Sequence, residues 1–281
     1  FQDGRQMQAV GAAHALLGRC AVRRSASARA MEHLELAREA LEVVARRDAR
    51  QGRVLEAFIQ EIRAELSLAE GDVDTTRTNL RQARDAFRDL DRPADAIRCL
   101  NDLGRVEVDE GDAQRAVSTF RAAVGLASTA GLHREQRRAR VGLGEALVHL
   151  GEVDQAAGML RRVLRESRLG RVDVESMAAA SIAMAKVMLA RGLTRDAERY
   201  VDLALSHKPD GRAEARAHLV LAEILLATGE TRRAIRAFRA AETSARQSGQ
   251  GALCGLAVDR LSVLQQAAPT GAPVECAEES L

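Results

Sequence analysis

Between residues 8 and 247 apolar side chains recur at i, i+3, i+4 and i+7, as in Ala116, Val117, Phe120, Ala123 and Val124, with charged residues between them. That period belongs to amphipathic helices, and the strict alternation of a half-buried strand is absent. Glycines punctuate the pattern. Gly71-Asp72, Gly111-Asp112, Gly151-Glu152, Gly192-Leu193 and Gly229-Glu230 lie 40, 40, 41 and 37 residues apart. Five residues after each stand Thr76, Ala116, Ala156, Ala197 and Ala234; nine after stand Leu80, Phe120, Leu160, Val201 and Phe238; twelve after stand Ala83, Ala123, Val163, Ala204 and Ala241. Seven residues before, the side chain is always small: Ala64, Gly104, Gly144, Ala185 and Ala222.

Each Gly stands where a helix needs a left-handed C-terminal residue, and the Asp, Glu, Thr or Ser that follows favours the next helix N-terminus. The repeat unit is therefore a helix pair, in which small residues let two helices approach and one large residue fills the gap between repeats. An earlier copy lacks the Gly but places Leu17-Gly18, Ala30, Leu34 and Ala37 in register, counted from Ser25, with a link about six residues longer to the next copy. The pattern predicts an all-α solenoid over 1–266, with repeats near 6–46, 51–90, 93–130, 133–169, 172–207 and 211–247. A helix near 251–266 is expected to cap its apolar end, and 267–281, with Pro269, Gly271 and Pro273, to form a flexible tail.

These residues resemble the tetratricopeptide repeat, from about residue 8 to 247. The likeness implies a right-handed superhelix whose first helices line a concave groove. Two departures are visible: the period is nearer 40 than 34, and the early aromatic of the first helix is missing. Pro209 matches the family's Pro after the second helix, whereas other copies carry Arg88, Ser128, Arg168 and Arg246 there. The longer period is similar to the repeat regions of bacterial signalling regulators of the MalT and LuxR-type ATPase kind and of those attached to Ser/Thr kinases.

Composition agrees with such a scaffold. Aromatics are 2% of the 281 residues, with no Trp and one Tyr, so the core must be Ala, Leu and Val, which suits close-packed helices. Forty of the 42 basic residues are Arg, the bias of a GC-rich bacterial genome. A net charge of +2 gives no overall field for nucleic acid or membrane, and no basic patch interleaves with aromatics. Cys20, Cys99, Cys254 and Cys276 show no metal spacing and read as small apolar residues in a reducing cytoplasm. No apolar run reaches the length of a membrane span. The chain opens at Phe1, which fits a piece of a longer gene product.

Catalytic signals are lacking. Gly142-Leu143-Gly144 has Leu147 at the sixth position of a G-x-G-x-x-G and no strand before it, so both glycines read as helix packing. No phosphate loop, H-E-x-x-H or G-x-S-x-G occurs, and none of the six His pairs with another His or Cys at metal spacing. The expectation is a non-catalytic protein without cofactor.

What the resemblance implies is a groove for a protein or peptide partner. Its inner-facing positions carry over to Arg98, Asn101 and Arg105 in the third pair, Arg138, Glu145 and His149 in the fourth, Lys186 in the fifth and Glu223 in the sixth. The second pair offers Phe58, Glu61 and Glu65 instead, so the groove turns from acidic to basic along its length. Arg98 and Arg105 suit a carboxylate or phosphate, and Asn101 a peptide backbone. The same residues also read as ordinary solvated positions balanced by Asp102 and Asp109. The alternatives are a small-effector sensor of a transcriptional regulator, and a self-associating scaffold that forms a homodimer through the last helix.

Overall fold

A computed structural model describes residues 2–24, 26–169 and 174–267. The segment beyond Ala267, read as a flexible tail, lies outside the described residues, as do Ser25 and Cys276. Among the described residues there are thirteen α-helices and no strand. They run α1 (Gln2–Arg23), α2 (Ser27–Arg47), α3 (Ala49–Glu70), α4 (Val73–Asp89), α5 (Pro93–Asp109), α6 (Ala113–Thr129) and α7 (His133–His149). The remainder are α8 (Val153–Leu169), α9 (Val174–Ala190), α10 (Thr194–Ser206), α11 (Gly211–Ala227), α12 (Thr231–Gln247) and α13 (Gly251–Ala267). No described helix is long and apolar enough to cross a membrane.

Consecutive helices pack against each other, and the odd-numbered ones also touch one another from α5 through α11, as does α1 with α3. The odd helices thus form one layer of a curved array and the even helices the other. The residues that recur in the sequence are the ones that join the layers. Ala116, Phe120 and Ala123, with their counterparts in every repeat, are at most 3% exposed. Phe120 shows why the facing positions are small: a methyl group added to Gly104 would stand 2.7 Å from its ring, and one on Gly142 2.2 Å. Gly144 meets Leu160 in the same way at 2.8 Å. The Gly142-Leu143-Gly144 triplet is thus a packing surface inside α7.

The five anchor glycines have φ between 73° and 84°, and each closes its helix with a backbone bond from the following N–H to the carbonyl five residues back, such as Asp112 to Glu107 at 2.9 Å. A second series ends α4, α6, α10 and α12 with the same left-handed turn: Asp91, Gly131, Lys208 and Gly249 all have positive φ. The sequence signal for this series is diluted because two of its members are not Gly. At the first pair, six extra residues were expected as a longer link. They instead lengthen the helices, since α2 and α3 have 21 and 22 residues against 17 in most others. Only Asp48 separates them, capping α3 by accepting from the N–H of Arg50 and Gln51 at 2.9 and 3.0 Å.

One other expectation needs correction. Of the described cysteines, Cys99 is buried but Cys20 is exposed and Cys254 half-buried, because Cys20 falls on a face of α1 that no other described helix covers. His14 and His33, 19 residues apart and on different helices, face each other with Nδ1 atoms 3.2 Å apart.

Candidate functional site

The concave layer is lined by the odd helices, whose polar side chains fall into two groups. At the N-terminal end Glu61 of α3 is fully buried and sits between two guanidinium groups. Arg98 of α5 donates through Nε and, at 2.9 Å, through Nη2, while Arg19 of α1 approaches to 2.8 Å. The chain of charges continues from Arg98 to Asp95 at 2.8 Å and from Asp95 to Arg92 at 2.5 Å. The Arg92 guanidinium lies 5.0 Å from the centre of the Phe58 ring, which in turn meets Phe87 edge-on at 5.0 Å. This web ties the first odd helices together, and a buried carboxylate held by two cations is a structural element. Next to it, burial outweighs Arg19 and pushes the Glu65 carboxyl up to about 7, with Asp102 and Glu61 adding to the rise.

The second group occupies the centre. Arg216 of α11 donates to Glu145 of α7, spanning α9 between them. This pair, 71 residues apart, measures the curvature: helices two repeats apart meet across the groove. Ala179 and Ser176 of α9 line the same cleft, small enough to leave the path open. Burial alone would raise the Glu145 carboxyl, but Arg216, Lys186 and Arg105 hold it below its ordinary range. Arg138 of α7 donates to Glu175 of α9, and Arg105 of α5 to Asp102 at 3.1 Å. Arg105, Arg138, Glu145, Glu175 and Arg216 together line a narrow cleft of about 30 Å³. Arg212, one turn before Arg216, is held low, at about 10, by burial and by the neighbouring charges of Arg105 and Arg216. Across from it Asp109 of α5 is pushed up by burial and drawn down by Arg216 and Arg212, so helices three repeats apart share one field.

The expected groove residues therefore divide. Arg105, Arg138 and Glu145 meet at the central cleft. Lys186 is half-buried beside it and His149 exposed; partial desolvation with the Lys186 charge lowers the His149 pKa, while Glu223 is exposed within reach of the same histidine. Arg98 and Asn101 do not join them. Arg98 is committed to Glu61, and Asn101 is 7% exposed, with its side-chain carbonyl lacking a hydrogen-bond partner among the described residues.

Three participants were not anticipated: Arg212, Arg216 and Glu175. A signal existed for one. Arg98, Arg138 and Arg216 each stand 13 residues before their anchor glycines, at Gly111, Gly151 and Gly229, so the same register that selected the first two also marks the third. Glu175 and Arg212 share another register position, 17 residues before Gly192 and Gly229, which held none of the expected groove residues, and only the folding of α9 and α11 against α7 reveals them.

Among the described residues no group of three His, Cys, Asp or Glu side chains is arranged to hold a metal ion. The His14 and His33 rings are tilted by 35° with centroids 5.4 Å apart, and their facing nitrogens suit a hydrogen bond between imidazoles.

The fold is shared with known proteins. No curated protein sequence matches the chain. Solved structures share the fold at low identity. NprR in complex with its cognate peptide NprX superposes with a TM-score of 0.67 at 12% identity, over 92% of this chain and 72% of that one. The Rap conjugation gene regulator of plasmid pLS20, in complex with the Phr* peptide, gives 0.66 at 12% identity, over 92% and 80%. Aspartyl phosphate phosphatase F from Bacillus subtilis gives 0.60 at 13% identity, over 99% and 76%. The tetratricopeptide-repeat family model matches residues 101–170 and 182–250, which hold most of the central cleft and both partners of the Glu145–Arg216 pair. The chain is a tetratricopeptide-repeat protein.

Proposed function

We propose that the concave surface binds an extended peptide or a partner's tail carrying an acidic group, and that the chain serves as the sensor or docking region of a larger bacterial regulator. The observation that carries this reading is the Arg216–Glu145 clasp beside Ala179, with Arg105 and Arg138 in the same cleft. Each of the three guanidiniums is matched by a carboxylate of the protein. A ligand carboxylate can take the place of the exposed Glu175 on Arg138 and recover a charge-assisted bond, so exchange there costs little. Exchange also releases a link between α7 and α9 beside the Arg216–Glu145 clasp. Two curvatures of the array would then differ in ligand affinity, as coupling to an attached domain requires. The peptides in the NprR and pLS20 Rap complexes support the same use of this fold here.

Small-effector sensing is a weaker reading. The cleft is small, about 30 Å³, and charged groups rather than aromatic walls line it.

The test is selection from a random peptide library, followed by fluorescence anisotropy on the winners. Acidic sequences are expected, and the Arg105→Ala/Arg138→Ala double variant should weaken them at least about tenfold. Selection of neutral or basic peptides, or equal affinity in the double variant, would overturn the proposal.

A further inference from the structure

From Met7 to Gly18 helix α1 is apolar on nearly every side, yet the described fold covers only one. Its inner face is Gly11, Ala15, Gly18 and Val22, all buried; a methyl group on Gly11 would lie 2.6 Å from Leu55. The opposite face carries Ala9, Ala13, Leu16 and Cys20, flanked by Val10 and Leu17, and all six are exposed. Leu16 and Leu17 are 60% and 48% accessible, unusual for adjacent leucines in an ordered helix. The spacing 9, 13, 16, 20 alternates four and three, the period of a helix seam that meets another helix along its length. Helices apolar all round are buried ones, so this seam calls for a partner.

We propose that the partner is α1 of a second copy of this chain, packed antiparallel about a twofold axis between His14 and Ala15. The sequence is self-complementary about that point. The axis sets Leu16 over the partner's Ala13, Leu17 over the partner's Ala12 and Cys20 over the partner's Ala9, so large residues meet small ones throughout. From Gln6 to Gly18 there is no Asp, Glu, Lys or Arg, and the polar His14 already faces His33, so a second copy brings no buried charge to the seam. A parallel arrangement would instead bring the exposed Arg23 beside the partner's Arg23. This surface is independent of the groove, so its failure leaves the peptide proposal untouched.

One helix on one helix buries less than the roughly 1,000 Å² of a stable interface, so the dimer is expected to form at micromolar concentrations and above. Sedimentation velocity from about 1 to 300 μM is expected to show a monomer–dimer equilibrium. Leu16→Glu/Leu17→Glu, which alters only exposed positions, should weaken it at least about 100-fold with unchanged helicity by circular dichroism. Disulfide trapping fixes the direction. With Cys254 and Cys276 replaced by Ser, an Ala9→Cys variant is expected to form a covalent dimer on mild oxidation, joining the introduced thiol to the partner's Cys20. Native Cys20 alone should not cross-link, since two copies of it would lie about 16 Å apart along the seam. A monomer throughout the concentration range, an unaffected double-Glu variant, or ready linkage of Cys20 to the partner's Cys20 would each overturn the proposal.

Discussion

Gly142 and Gly125 are both helical glycines, and the structure assigns them opposite consequences. At Gly142 the three nearest atoms to an added methyl are all in the Phe120 ring, at 2.2, 2.5 and 2.8 Å. Phe120 is 1% exposed and also pressed by Gly104, so it has nowhere to move. Gly142→Ala is expected to cost about 3 kcal/mol in urea denaturation, and Phe120→Leu in the same chain to recover part of it. Nothing lies within 4 Å of a methyl on Gly125, so Gly125→Ala should stabilise by about 0.5–1 kcal/mol. Equal effects at the two positions would refute the packing argument. Gly104 and Gly144 were legible as packing residues because they recur seven residues before an anchor; Gly142 lies outside that register, and its reading rested on its helical setting. Its contact with Phe120 depends on how deeply the ring reaches past α5, which spacing along one chain does not encode.

At the level of elements, most helices end on a left-handed residue, and Asp48, Asp72, Asp112 and Asp210 cap the helices that follow them. The groove was only half legible. A register names the side chains on the inner faces of the odd helices, but the curvature of the array decides which of them meet. Arg98 and Arg216 occupy equivalent register positions, yet one is tied to the adjacent odd helix through Glu61 and the other crosses two repeats to Glu145. The crossing is testable through charge. Glu145 has a side chain only 9% exposed, and Arg216→Ala would leave it buried beside the weaker help of Lys186 and Arg105. Loss of about 3 kcal/mol at neutral pH is expected, and Glu145→Gln in the same chain should restore part of it. The pH dependence has a definite sign. In the parent the folded carboxyl lies below its ordinary 4.5, so its contribution is full above that pH and fades as pH falls through the folded value. Without Arg216 the folded pKa rises, and stability then declines as pH increases above 4.5. The deficit of the variant should therefore widen between about pH 4 and pH 8. A constant deficit would mean that Glu145 is not the group Arg216 serves.

Across the whole molecule the core is a series of overlapping clusters, each shared by neighbouring repeats. Phe120 belongs to the largest, which runs from α6 to α11, whereas Phe238 joins α11, α12 and α13 at the C-terminal end. An array of this kind is stable as a sum of units and their interfaces, so a defect is felt according to its place. Phe120→Ala and Phe238→Ala delete the same side chain from sites equally buried, each at 1% exposure, and each removes about 3–5 kcal/mol of local packing. At the end of the array that loss can be absorbed by fraying. Amide hydrogens of α12 and α13 should exchange faster in Phe238→Ala while those of α3 to α7 keep the parent's rates. In the middle there is no free end to release. Phe120→Ala must either open the array in both directions or unfold it entirely, and exchange should accelerate in helices on both sides of α6. Uniform acceleration in both variants would instead describe a single cooperative body, in which strain at the α7–α11 clasp reaches α1 and α13 alike.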